Sequence, residues 1–124
     1  VKDFLSKDIS LENGKVSAFT HKIELKNKIG DHFNIIKSEY FDLSKADVIL
    51  VRQDPPFNVK YITATYLLER IKDKVLILND PTEIRNCPEK ILVTNFTDLT
   101  PPTLITSDLG QIEKFREKHN ELIL

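Results

Sequence analysis

Asp47-Val48-Ile49-Leu50-Val51-Arg52-Gln53-Asp54-Pro55-Pro56-Phe57 is the stretch on which the fold turns: four consecutive large apolar residues, then charge, then two prolines, then the opening of a helix. An apolar run without alternation suits a strand buried on both faces, which in turn suits a parallel sheet flanked by helices. In open α/β sheets ligands collect in the crevice beyond the carboxyl ends of the strands, so Arg52, Gln53 and Asp54 are placed where binding is expected. Pro55-Pro56 removes two backbone donors, ends the strand and fixes the approach to a helix that begins near Asn58.

Downstream, the pattern is regular. The Val48–Arg52 strand leads to a helix over about 60–72, in which Ala64, Leu67, Leu68 and Ile71 share one face. Val75-Leu76-Ile77-Leu78 then returns as a second buried strand, predicted to lie parallel and adjacent to the first with a right-handed crossover. In Asn79-Asp80-Pro81-Thr82-Glu83, Asp80 suits a helix N-cap, Pro81 the first helical position, and Glu83 the third, where it can reach back as in a capping box. Pro88 begins a second helical segment through Ile91, Leu92 and Phe96. Pro101-Pro102 introduces a short strand at Thr103–Thr106, and Ser107 is predicted to cap a helix carrying Leu109, Ile112 and Phe115. The expected order is βαβααβαβ.

Upstream, Asn13-Gly14 is a strong hairpin signal, because both central residues of a type I′ turn need positive φ, and a hairpin is predicted near residues 9–20. Partial alternation of Val16, Ala18, Ile23 and Leu25 extends a strand toward Asn27, while the segment from Phe33 to Leu43 reads equally as strand or loop. There is no internal repeat or low-complexity tract, and Thr97–Pro102 is the best candidate for a domain border.

With 124 residues, 40% of them hydrophobic, the default is one domain with a real core. A formal net charge of −1 gives no field that would gather a polyanion, which disfavours nucleic-acid or membrane-surface binding. No apolar stretch approaches the roughly 18–20 residues needed to span a bilayer, so a cytoplasmic protein is expected. The single Cys87 forms no internal disulfide and no zinc cluster, and His21, His32 and His119 lack metal-ligand spacing. Gly14, Gly30 and Gly110 are scattered, so no glycine-rich nucleotide cradle is visible. The chain opens on Val1, contains no methionine and stops at Glu121-Leu122-Ile123-Leu124, which reads as the start of a strand; a piece of a longer protein is expected.

Taken together, Asp47–Phe57, Ala64-Thr65-Tyr66-Leu67-Leu68-Glu69-Arg70, Asn79-Asp80-Pro81, Arg85-Asn86-Cys87, Glu89-Lys90 and Pro101-Pro102-Thr103-Leu104-Ile105-Thr106 resemble, in order and spacing, the amino-terminal region of bacterial glutathione synthetases. The resemblance is dense from about Ala46 onward. It implies an α/β fold with a Rossmann-like, three-layer parallel sheet (a pre-ATP-grasp domain) over residues 1–100, within which the amino-terminal β-hairpin read from Asn13-Gly14 falls, and the start of an ATP-grasp region over 101–124. It implies an ATP-dependent ligase that joins γ-glutamylcysteine to glycine through an acyl phosphate, with ATP and magnesium held elsewhere in the full-length enzyme and homo-oligomers common. The family's strand resembling Glu121–Leu124 continues into a lysine that contacts ATP. Two departures stand out: the family's opening strand and helix have no counterpart ahead of Val1, and Gln53 stands where the resemblance leads one to expect lysine.

The substrate-binding set is accordingly Arg52, Gln53, Asp54, Phe57, Tyr61 and Thr65, with no catalytic, nucleotide or metal residue in this stretch. Arg52 can fork onto a carboxylate, of which γ-glutamylcysteine carries two, or pair with Asp54. Asp54 can receive a substrate ammonium or initiate a turn, and Phe57 can wall the pocket or join the core. Tyr61, Thr65 and Tyr66 can hydrogen-bond a ligand or simply pack; Asn79 and Asp80 read as structural, Lys90 as solvated, and Cys87 as no nucleophile. Two other readings stand beside the first: an ATP-grasp ligase for another amino-acid or peptide substrate, and a non-catalytic Rossmann-like interaction module.

Overall fold

The amino-terminal third, ambiguous in sequence, forms a four-stranded antiparallel sheet in the computed structural model, which describes residues 1–119 and 121–123. Its strands are β1 (Lys2–Asp3), β2 (Ile9–Glu12), β3 (Lys15–Leu25) and β4 (Phe33–Asp42). Asn13 (φ 49°) and Gly14 (φ 78°) make the tight turn between β2 and β3, as the Asn-Gly pair requires. The long β3 is the spine: β1 and β2 pair along one side, β4 along the other, with Phe19 opposite Tyr40 and Thr20 opposite Glu39. Alternation within β3 buries Val16, Ala18 and Thr20 on the core face. Between Lys22 and Ile23 the register shifts, since Lys22 faces Lys37 and Ile23 faces Ile35, leaving Ile36 as a bulge.

β5 (Val48–Leu50) and β6 (Leu76–Leu78) are the predicted parallel neighbours, in the register Val48↔Leu76, Ile49↔Ile77, Leu50↔Leu78. Both are shorter than expected, ending before Val51 and starting after Val75. The expected α/β class holds, and of the expected three-layer parallel sheet the described residues contain one parallel pair, a two-stranded sheet beside a larger antiparallel one. An unbroken apolar run permits burial on both faces but does not supply the second cover. Ile49 and Ile77 are buried, whereas Val48 (46%), Leu50 (63%), Leu76 (58%) and Leu78 (49%) share the opposite, exposed face.

α1 (Val59–Glu69) starts where Asn58 Oδ1 accepts the Tyr61 N–H at 3.2 Å. Its buried side, Ala64, Thr65 and Leu68, meets a core of Val16, Ala18, Leu43, Ile49, Ile71, Val75 and Ile77. α2 (Pro81–Asn86) is capped by Asp80, whose Oδ1 accepts from the Thr82 and Glu83 N–H groups at 2.7 and 3.2 Å. Glu83 does not complete a capping box; its carboxylate instead accepts from Cys87 Sγ at 3.6 Å.

The chain divides into two units, Val1–Cys87 and Pro88–Leu124. The second holds α3 (Glu89–Leu92), a 3₁₀ turn at Val93–Asn95, and α4 (Leu109–His119). Two local expectations change here. The segment 103–106 forms no strand, because an extended segment without a neighbour has no ladder to join. Asp108, rather than Ser107, supplies the α4 cap, its Oδ1 accepting from the Gln111 N–H at 3.1 Å. Residues 121–123 likewise carry no strand assignment, and Leu124 lies outside the described residues.

Candidate functional site

The loop that leaves β5 is held at both ends. The Val51 N–H donates to the Leu78 carbonyl, extending the parallel ladder by one bond, and the Val51 carbonyl accepts from Asn79 Nδ2 at 3.2 Å. At the far end the Asn58 N–H donates to the Pro56 carbonyl at 3.0 Å, just before Asn58 caps α1. Between these anchors Arg52, Gln53 and Asp54 are exposed. Among the described residues none of the three forms an ion pair or side-chain hydrogen bond, so the Arg52–Asp54 bridge is not made.

A crevice of roughly 1130 Å³ opens beside this loop, lined by Arg52, Gln53, Asp54, Tyr61 and Thr65 together with residues of the amino-terminal segment. Five expected site residues are thus brought to one concavity. Phe57 is not among its lining; it is 44% exposed and packs edge-on against Tyr61, ring centroids 5.2 Å apart. The lining also gathers Lys2, Lys7, Lys45 and Lys60, giving with Arg52 five cations against Asp3, Asp47 and Asp54. These lysines were not legible as site residues, because only the fold carries 2–45 to the end of β5. Lys60 alone had a local signal, lying on the first turn of α1.

Thr65 is the member whose chemistry is already committed. It is wholly buried; its Oγ1 donates to the Ile62 carbonyl at 2.7 Å and accepts from Arg85 at 3.0 Å. Arg85 also donates to the Pro81 carbonyl at 3.0 Å and to the Glu69 carboxylate, and its guanidinium lies 4.0 Å above the Tyr66 ring. Glu69 further accepts from Thr82 Oγ1 at 3.0 Å. The Arg85 fork, then Thr82, holds the Glu69 carboxyl below its ordinary range. This cluster locks α1 to α2, and Tyr66 serves it as a stacking plate.

The other polar candidates take structural parts. Asp80 is held below the usual carboxylate range by the backbone N–H groups of Glu83 and Thr82 that it caps. Desolvation, then Glu83, pushes the Cys87 thiol up, away from thiolate chemistry. Lys90 is exposed on α3. Among the described residues no group of three or more His, Cys, Asp and Glu converges on a cation site.

Comparison with known proteins bears on the same segments. The family model described as prokaryotic glutathione synthetase, N-terminal domain, matches residues 3–85, and that of the ATP-grasp domain matches residues 89–124. A glutathione synthetase of Agrobacterium fabrum is 51% identical over 116 residues, covering 94% of this chain and 36% of that protein. That of Escherichia coli is 42% identical over 118 residues, 94% and 37% respectively. That of Rhodopseudomonas palustris is 41% identical over 121 residues, 98% and 39%. The chain thus spans somewhat more than a third of the length of these curated relatives.

Proposed function

Since the chain belongs to the prokaryotic glutathione synthetase family, we propose that it forms the substrate-orienting amino-terminal part of an ATP-dependent ligase that joins γ-glutamylcysteine to glycine. The observation that carries this reading is Arg52: an exposed guanidinium without a protein partner among the described residues, at the carboxyl end of a parallel strand pair and facing a crevice with an excess of cations. A fork of this kind matches a carboxylate at two points. Asp54 offers a counter-charge for the substrate ammonium, while Gln53 and the Tyr61 hydroxyl offer neutral hydrogen bonds from the loop and from α1. Holding a reactant in one orientation is the contribution asked of this stretch, and such positioning lowers barriers by several kcal/mol.

ATP and magnesium belong to the activity of the whole enzyme. On this reading both are held by the rest of the full-length enzyme. The parallel pair β5–β6 is, on this reading, a portion of a Rossmann-like, three-layer sheet; the apolar side chains on its exposed face support that reading. A homo-oligomer in the cytoplasm completes it, and no helix among the described residues is long and apolar enough to cross a membrane.

The test is Arg52→Ala in the intact protein. A hydrogen bond to a charged group contributes about 1.5–3 kcal/mol, so kcat/KM for γ-glutamylcysteine should fall roughly ten- to a hundredfold while KM for ATP holds. Arg52→Lys should recover part of the loss, keeping charge without planar geometry. Unchanged dipeptide kinetics in a folded Arg52→Ala enzyme would remove Arg52 from the site. Gln53, standing where the family resemblance leads one to expect lysine, favours a second reading: a related ligase acting on a different amino-acid or peptide carboxylate.

A further inference from the structure

Val51 precedes Arg52, and its two backbone groups are held by consecutive residues at the end of the neighbouring strand. Its N–H donates to the Leu78 carbonyl, and its carbonyl accepts from Asn79 Nδ2 at 3.2 Å. The register Leu50↔Leu78 makes Asn79 the next partner of Val51. In a regular parallel ladder the Val51 carbonyl would accept from the backbone N–H one position beyond that partner, at Asp80. The chain instead leaves the sheet after Leu78, and Asp80 turns to cap α2. The side-chain amide of Asn79 supplies the donor that the backbone has withdrawn.

This bond bears on Arg52 through the geometry of one peptide unit. The Val51 carbonyl, the Arg52 N–H and the Arg52 Cα lie in a common plane. The Leu78 bond holds the preceding plane, between Leu50 and Val51, and leaves this one free to turn about the Val51 Cα–C bond. Fixing the Val51 oxygen removes that freedom, and with it sets the direction in which the Arg52 side chain leaves the main chain. Only Arg52, Gln53 and Asp54 separate this anchor from Pro55-Pro56, whose rings restrict φ at the other end. Arg52 makes no ion pair among the described residues, so the main chain is what aims it. Asn79 is exposed, so its replacement opens no cavity in the core and its effect on Arg52 is separable from the fold.

We infer that Asn79 is a positioning residue for the substrate carboxylate: it orients the peptide plane from which Arg52 projects and touches no reactant itself. The inference rests on the reading of Arg52 as the group that receives that carboxylate. A planar fork that binds at two points tolerates misdirection less well than a point charge does. When the plane is free to turn, only a fraction of the enzyme presents the fork correctly, and apparent affinity falls by that fraction.

The test is kinetic and uses the intact protein. Asn79→Ala should raise KM for γ-glutamylcysteine roughly three- to tenfold, the scale of one neutral hydrogen bond, while KM for ATP holds. Asn79→Asp keeps the size of the side chain but turns an acceptor toward the Val51 carbonyl, so it should raise that KM at least as much; it carries the test if the alanine variant does not fold by circular dichroism. The decisive comparison is the double variant. With Arg52 already alanine no fork remains to be aimed, so adding Asn79→Ala should cause no further loss in kcat/KM for the dipeptide. An Asn79 that merely closes the end of β6 would lower the thermal midpoint and leave dipeptide KM unchanged. An unchanged dipeptide KM in both Asn79 variants, or losses that multiply in the double variant, would overturn the inference while the role of Arg52 stood. Normal dipeptide kinetics in Arg52→Ala would remove that role and the inference with it.

Discussion

Thr65 and Arg52 are both polar residues near the end of β5, yet the structure separates their parts. Thr65 spends both capacities of its hydroxyl inside the protein, on the Ile62 carbonyl and on Arg85, while Arg52 has no protein partner among the described residues. Thr65→Val should therefore lower stability by about 1–2 kcal/mol, through an Arg85 donor left without its acceptor, and chemical denaturation would read it. The prominence of Arg52 was legible because two prolines follow so closely; the commitment of Thr65 was not, because its partner lies 20 residues away on another helix. Glu39 gives a pH-dependent counterpart. Hydrogen bonds from Lys2 and then Lys37 lower its pKa from 4.5 to about 2. A carboxylate depressed in the folded state stabilises fully above its unfolded value, and that contribution is lost as pH falls from about 4.5 through about 2. Thermal melts across this window should fall less steeply for Glu39→Gln. The difference should shrink in high salt, since all three side chains are partly exposed.

At the scale of elements, the segments that announced themselves were those whose signals are local. β5, α1 and β6 follow from an apolar run, an amphipathic stripe and a second run, and α2 from Asp80-Pro81. The β2–β3 hairpin follows from Asn13-Gly14. Gly14 sits at φ 78° with open space around its Cβ position, so Gly14→Ala meets no clash and costs only the left-handed conformation. About 1–2 kcal/mol is expected, visible as a lower midpoint of urea unfolding. β4 was obscure for the opposite reason. Its strand character comes from pairing with β3, from Phe33 opposite Leu25 to Asp42 opposite Ser17, and its own side chains are mostly exposed, so no burial pattern marks it. The parallel pair shows the limit of the same logic: an unbroken apolar run states what a strand tolerates on each face, not how many neighbours will cover it.

For the molecule as a whole, Val48, Leu50, Leu76 and Leu78 form a contiguous apolar face on the parallel pair, and isolated patches of this kind mark surfaces that take a cover. The 124-residue chain should bind a hydrophobic dye such as ANS while retaining its folded circular dichroism. The pair of substitutions Leu50→Ser and Leu76→Thr should reduce that dye binding severalfold with little loss of stability, because both side chains are more than half exposed. Unchanged fluorescence would move the dye site elsewhere.

Asn79 joins these scales. Its side chain holds the carbonyl that opens the Arg52 loop, and the next residue, Asp80, holds the first N–H groups of α2. The loop and the start of α2 therefore share one tether. Thermodynamic linkage makes such a tether reciprocal: a guest that stiffens the loop stiffens the helix start, and a frayed helix start weakens the guest's grip by the same factor. The Arg85 clamp on α2, which also holds Thr65 of the crevice lining, is thereby coupled through the start of that helix to the loop that carries Arg52.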